Sequence, residues 1–347
     1  MSWESVIGHT WATQRLRNAL ARGTLGQSLL FIGPPQVGKT TLALTLAEAL
    51  LAQDTRGQAL IAQRKHPDLL TVEPEGANAT ISIERVRELQ HALQLTPMES
   101  RHRVAILADA QALSLGAMNA LLKTLEEPAS AAVLILTATS ADALLPTILS
   151  RCQVLPMRPL PRGQIEAGLQ ARGASPAQAA LLAALAQGRV GWALQAWRDA
   201  ATLQARLQAI NDLLRLLGEG LTARFAYAEQ LAKAGDAHIR AVLQTWQLVW
   251  RDVTRAAIGC VVRAGAHSYG ETVRRVAEGV SPETAAACLQ RMVQTEVFIT
   301  QNANARLALD VLLITLPRLS YVVEPLSFNA SESEGHRSAI TVPAGGK

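Results

Sequence analysis

Across the first 157 residues, apolar positions gather into short runs at 29–32, 69–72, 104–108, 133–137 and 154–156, each bounded by polar or turn-forming residues. Runs of this length without polar alternation are the pattern of strands buried on both faces. Between them the spacing changes: Val86, Leu89 and Leu93 recur at helical intervals within 83–95, and 117–126 is a second helical stretch. Strand and helix in alternation predict an α/β module built on a parallel sheet. Pro156, Pro159 and Pro161 then punctuate the chain as a linker. Residues 158–200 read as a small helical bundle, with helices at 164–172, 176–186 and 191–197. The stretch 201–325 is helical throughout, leucine- and alanine-rich, and broken at Gly218, Gly220, Gly235 and Pro282. Residues 326–347 turn to Ser, Gly, Ala and Glu, the composition of a disordered tail.

The run 29–32 leads into Gly33-Pro34-Pro35-Gln36-Val37-Gly38-Lys39-Thr40, and an apolar helical stretch follows at 41–47. In a strand–loop–helix setting this spacing lets backbone N–H groups turn toward phosphate oxygens. Lys39 then reaches the outer phosphates, and the Thr40 hydroxyl suits a magnesium ion. Gly33, Gly38, Lys39, Thr40 and Thr41 are the candidate nucleotide-binding residues. A plain glycine turn entering a helix is the competing account, and the fixed positions together with their setting outweigh it.

The run 104–108 ends in Asp109, which places a carboxylate at the carboxyl edge of the sheet, where it can position magnesium with Thr40. Hydrolytic sites of this kind carry a glutamate next, to orient the attacking water. Here the next residue is Ala110, whose methyl group accepts no proton, and Gln111 is a poor base one position further on. Asp109 as the N-cap of a turn at 110–112 is the alternative. The chain looks built to hold a nucleotide and poorly equipped to hydrolyse one.

Composition narrows the setting. At 347 residues the chain is too long for one ordinary core, and 49% hydrophobic with 18% charged residues is a globular balance. No apolar run of membrane-spanning length and no leader pattern is visible, so a soluble cytoplasmic protein is expected. Cys152, Cys260 and Cys288 lie far apart and form no CxxC spacing. The seven histidines show no HxxxH or HxH spacing either. A net charge of +5 permits nucleic-acid contact without demanding it, because the basic residues are scattered.

Two further segments carry a family resemblance: Asn119-Ala120-Leu121-Leu122-Lys123-Thr124-Leu125-Glu126-Glu127-Pro128, and Leu145 to Cys152 with Ser150-Arg151-Cys152 at its end. With Val6 to His9, His66-Pro67-Asp68 and Asn302 to Leu309, they resemble bacterial clamp-loader subunits of the AAA+ class, within which the chain is most similar to the delta-prime family. The likeness runs over about 320 residues. It implies an AAA+ module at 1–157, a helical lid at 158–200 and a helical collar for oligomerisation at 201–325. It leaves two accounts of the loop, ATP with magnesium held as a structural ligand or a remnant without occupant, and implies gamma/tau and delta subunits, a sliding clamp contacted directly or indirectly, and primer–template DNA as partners. Membrane is not among them.

The resemblance also gives Arg151 a role: the arginine of that motif reaches across a subunit boundary to the gamma-phosphate of a neighbour's ATP. A permanently charged, forked guanidinium suits that task. A structural ion pair at the end of a loop is the plainer alternative. Two departures from the family pattern bear on the chain's own site. Its lid reads Gly188-Arg189-Val190-Gly191-Trp192-Ala193-Leu194, with Gly191 where hydrolysing subunits carry a phosphate-sensing arginine. The stretch 51–65 lacks the four cysteines of the family's zinc module, so no zinc is expected.

Trp246 and Trp250, four apart in a leucine-rich segment, read as core or collar contacts rather than a base-stacking set, with Trp192 and Trp197 as further members of the tryptophan group. Arg85, Arg87 and Lys123 fit DNA backbone contact and a solvated helix face about equally well. Three functions stand open: a non-hydrolysing clamp-loader stator, an ATP-hydrolysing gamma/tau-type motor, and, least favoured by the 119–128 stretch, a helicase-loading or recombination ATPase on the same scaffold.

Overall fold

The computed structural model describes residues 3–74, 80–260, 267–319 and 326. The chain divides into two compact units, 1–168 with 186–193, and 169–185 with 194–347. The predicted middle segment, 158–200, contributes to both.

The first unit runs α1 (Thr10–Ala21), β1 (Ser28–Ile32), α2 (Lys39–Leu51), α3 (Thr55–Ala62), β2 (Leu69–Val72), α4 (Ile83–Gln94), β3 (Arg103–Leu107), α5 (Leu115–Glu126), β4 (Ala132–Ala138), α6 (Pro146–Leu149) and β5 (Gln153–Pro156). The strands form one parallel sheet in the order β2-β3-β4-β1-β5. Successive side chains along a strand point to opposite faces. Leu29, Phe31, Val104, Ile106, Ile135 and Leu155 accordingly join one core with Leu16 of α1 and Leu42 and Leu46 of α2. Leu30, Ala105, Leu107, Leu134 and Leu136 join a second core with Leu89 and Leu93 of α4 and Leu121 of α5. Both faces are covered, which is why the strands read as unbroken apolar runs. The architecture is an α/β module on a parallel sheet, with β1 between β4 and β5 and the Gly33–Thr40 loop at its carboxyl end.

Helices α7 (Arg162–Gln170), α8 (Pro176–Ala186) and α9 (Val190–Arg198) follow. The second unit then continues through α10 (Ala200–Gly218), α11 (Leu221–Lys233), α12 (Asp236–Ala257), α13 (His267–Glu278), α14 (Pro282–Thr300) and α15 (Ala305–Ile314). Trp246 and Trp250 of α12 are fully buried, Trp246 donating Nε1–H to the Ala209 carbonyl at 2.8 Å and stacking on Tyr227. They are core residues. Arg224 of α11 is also buried, and its guanidinium donates to the carbonyls of Leu216, Leu313, Leu316 and Pro317. Carbonyls at helix ends lack intrahelical donors, and one forked cation supplies them for α10 and α15 together. The predicted tail, 326–347, lies outside the described residues except for Leu326, whose N–H and C=O pair with the Asn211 side chain. No helix among the described residues is long and apolar enough to cross a membrane.

Candidate functional site

The phosphate loop begins where β1 ends. Gly33 donates its N–H to the Ala138 carbonyl at 3.0 Å, and a Cβ at position 33 would lie 2.0 Å from the Met157 carbonyl oxygen. Glycine is therefore required here first by the close approach of the chain leaving β5. Gly38, at φ 107°, opens α2 in the left-handed region that a side chain would strain. Gln36 also sits there, at φ 62°.

Lys39 is the first residue of α2 and is buried. Its Nζ donates to the carbonyls of Gly33 at 2.6 Å and Pro34 at 2.9 Å. Burial lowers its pKa, and the charge of Asp109 works in the opposite direction, so the ammonium senses that carboxylate. Gly33, Gly38, Lys39, Thr40, Thr41 and Asp109 are thus assembled around one loop and helix start. The first-turn N–H groups of α2, the Lys39 ammonium, the Thr40 hydroxyl and the Asp109 carboxylate form a donor set that fits a nucleotide triphosphate with magnesium. For that ligand Lys39 must leave its two carbonyls.

Two residues hold the loop from outside, and sequence reasoning gave neither this part. His9, buried just ahead of α1, donates Nε2–H to the Val37 carbonyl at 2.9 Å. Burial lowers its pKa, only partly opposed by that bond, so the neutral tautomer is the working form. Gly191, at the start of α9, donates its N–H to the Gln36 carbonyl at 2.7 Å. A Cβ there would meet Gln36 O at 3.0 Å and Gln36 Cβ at 3.2 Å. The position matching the family's sensor arginine is pressed against the loop itself.

Asp109 takes a left-handed backbone, φ 51°, and its side chain makes no cap hydrogen bond to the short turn Ala110–Ala112. Its N–H donates to Thr137 Oγ1 at 3.0 Å, and its Oδ1 accepts from Gln111 Nε2 at 3.1 Å. Gln111 Oε1 in turn accepts from the Thr139 N–H, so that amide is engaged at both ends. Ala110 is buried in the second core, among Leu113, Ala117 and their neighbours.

Arg151 is held by other residues. Its Nη2 pairs with Glu126 at 2.7 Å, and its Nη1 donates to the Thr147 carbonyl at 3.1 Å and to Ser150 Oγ at 3.3 Å. The adjacent Cys152 thiol is pushed up to about 12 by burial and stays neutral. Arg85, Arg87 and Lys123 are exposed on α4 and α5.

The family model described as DNA polymerase III, delta subunit, matches residues 8–161. The chain is 32% identical over 204 residues to the DNA polymerase III subunit delta′ of Bacillus subtilis, covering 56% of this chain and 61% of that protein. It is 32% identical over 213 residues to the Pseudomonas aeruginosa subunit of the same name, covering 58% and 65%. Over these matched residues the chain is similar to DNA polymerase III delta′ subunits. It spans less than two thirds of these relatives' lengths. The chain is also 32% identical over 157 residues to the DNA polymerase III subunit gamma of Buchnera aphidicola from Acyrthosiphon pisum, covering 43% of each.

Proposed function

We propose that the chain is a largely non-hydrolysing stator subunit of the DNA polymerase III clamp loader. In this reading it assembles with gamma/tau and delta subunits, supplies Arg151 to ATP bound by a neighbour, and helps load a sliding clamp on primer–template DNA. The observation that carries it is the Gly191 N–H bonded to Gln36 O at 2.7 Å, which packs the residue so tightly on the loop that a side chain there must push the loop or the helix aside. Ala110, buried and without a proton acceptor, points the same way. If ATP and magnesium bind, the loop from Gly33 to Thr41 and Asp109 hold them, and the nucleotide serves as a structural ligand of this subunit. At the neighbour's site, the Arg151 guanidinium meets charge gathering on the phosphoryl oxygens.

The helical collar supports assembly. Phe298 of α14 and Leu307, Val311 and Ile314 of α15 are large apolar residues left exposed in the second unit, and the first three line one groove with Ala303 and Ala308. Apolar surface of this kind marks a partner-binding face.

In a complex reconstituted with gamma/tau and delta subunits, Arg151→Ala should leave assembly intact and depress DNA-stimulated ATP turnover. Unchanged turnover removes the arginine from the mechanism. A gamma/tau-type motor is the second reading, favoured by the gamma relative at equal identity and by the complete Gly33 to Thr40 loop. It requires ATP turnover by the isolated chain that Lys39→Ala abolishes, whereas the stator reading requires negligible turnover to begin with.

A further inference from the structure

Trp11 of α1 is 45% exposed, whereas Trp192, Trp246 and Trp250 are buried. An indole in water carries a large flat apolar face with nothing to cover it. Trp11, Arg15 and Asn18 of α1 and Arg22, its C-cap, recur at intervals of four, three and four residues, which at helical spacing confines them to an arc of about 60° over about 17 Å. All four line one open pocket together with Gln14 and with Gln153 of β5. No carboxylate lines it. The Gln153 amide, oriented by its hydrogen-bond network, accepts from Arg15 Nε at 3.3 Å and Nη2 at 3.1 Å, which sets the height of that guanidinium above the helix. The opposite side of α1, at Ala12 and Leu16, is sealed in the first core, which leaves this face turned to solvent.

We propose that this face of α1 binds single-stranded nucleic acid, with Trp11 as the platform for an unpaired base and Arg15 and Arg22 as contacts to backbone phosphates. The two arginines are seven residues apart, about 10 Å along the helix, so they contact separate phosphates rather than one. Gln14 donates from its amide to Asn18 Oδ1 at 2.9 Å, which leaves the Gln14 oxygen as an acceptor and the Asn18 amide N–H groups as donors for the edges of a base. An acidic peptide would satisfy the guanidiniums and leave the indole without a stacking partner. A nucleic-acid strand uses both, pairing a π-face with a charge track, and such stacking tolerates any base. The chain's net charge of +5 has the sign this ligand needs. The proposal uses residues that neither the phosphate loop nor Arg151 engages, so its failure would leave the stator reading in place.

The test is fluorescence anisotropy of a labelled oligodeoxythymidylate titrated with the full-length chain at several salt concentrations. Trp11→Ala should weaken binding about tenfold and Trp11→Phe much less. Arg22→Gln should weaken it and reduce the slope of log affinity against log salt by about 0.7, the share of one phosphate on a single strand. Binding of the same sequence as a duplex should be insensitive to Trp11→Ala, because paired bases do not stack on the indole. Both substitutions lie on an exposed face, and unchanged thermal unfolding confirms that the fold is intact. The proposal is overturned by absence of binding at low salt, or by binding that the variants leave unaltered. It is also overturned if the variants lose binding to polyglutamate but not to the oligonucleotide, which would assign the face to an acidic protein partner.

Discussion

The phosphate loop and the Arg151 loop belong to the same unit and each presents a cation suited to phosphate, yet the two are held in opposite ways. Lys39 is 6% exposed, and its ammonium is hydrogen-bonded to two carbonyls of its own loop, which His9 and Gly191 also grip. Arg151 has a side chain 35% exposed and a single carboxylate partner, Glu126, itself half in solvent. A buried cation with its donors engaged is part of the fold, and withdrawing its partners costs the desolvation of each group left behind. An exposed ion pair is worth about 0–1 kcal/mol and is readily exchanged for a better anion. The Gly33–Thr40 loop is therefore closed inward, while Arg151 is held loosely.

The largest effect that could break this contrast is at Gly33. Its missing Cβ leaves 2.0 Å to the Met157 carbonyl, a backbone atom with no means of retreat, so Gly33→Ala should destabilise the first unit by more than about 3 kcal/mol. Thermal unfolding of the variant checks it. An unshifted midpoint would show that the loop is held far less tightly than its contacts require.

Next comes Gly191→Arg, which puts at the start of α9 the arginine that the family resemblance implies for hydrolysing subunits. Its Cβ would lie 3.0 Å from Gln36 O, so the start of α9 must move off the loop, at a cost of about 1–2 kcal/mol. No ATP turnover should follow, since Ala110 still offers no proton acceptor. Measurable turnover by this variant, absent from the parent chain, would show that position 191 and not Ala110 limits hydrolysis.

His9 gives a smaller and pH-dependent effect. Its folded pKa lies below the ordinary value of 6.5, first because of burial, so the unfolded chain binds the proton more readily. The stabilisation is fully present above pH 6.5 and is lost as pH falls from there through the folded value. His9→Asn tolerates the left-handed backbone at φ 52° and removes the titration. The difference between the two unfolding-midpoint profiles should grow smaller as pH falls, and at pH 7.5 the variant should sit about 1 kcal/mol below wild type.

Much of the first unit was legible because its strands are covered on both faces: residues 29–32 and 104–107 are apolar in an unbroken row and both proved to be strand. The assembled loop at Gly33 to Thr41 was legible from spacing alone. Its restraints were not, since Met157 and Gly191 reach it from far along the chain, and no local pattern reveals a carbonyl arriving at 2.0 Å from an absent Cβ. Ala110 was read as a missing base. The structure adds that its methyl is buried in the second core, a consequence of the left-handed turn at Asp109 that sequence spacing does not encode. Arg224 is similar: a lone arginine on a helix carries no sign that four backbone carbonyls will converge on it.

The smallest structural effect, and the one that bears most directly on the contrast, belongs to Glu126→Gln. The substitution removes the charge opposite the Arg151 guanidinium and leaves only neutral acceptors, the glutamine amide oxygen, Thr147 O and Ser150 Oγ, to hold it. Both members of the pair are substantially exposed, so stability should change by less than about 1 kcal/mol, a midpoint shift of only a few degrees. The consequence belongs instead to the assembled complex. If Glu126 competes with a neighbour's phosphate for Arg151, the glutamine should keep or raise DNA-stimulated ATP turnover, whereas Arg151→Ala lowers it, and the double variant should behave as Arg151→Ala alone. Should Glu126→Gln lower turnover as far as Arg151→Ala does, the pair is a rigid mount for the loop, and the arginine works by staying where it is.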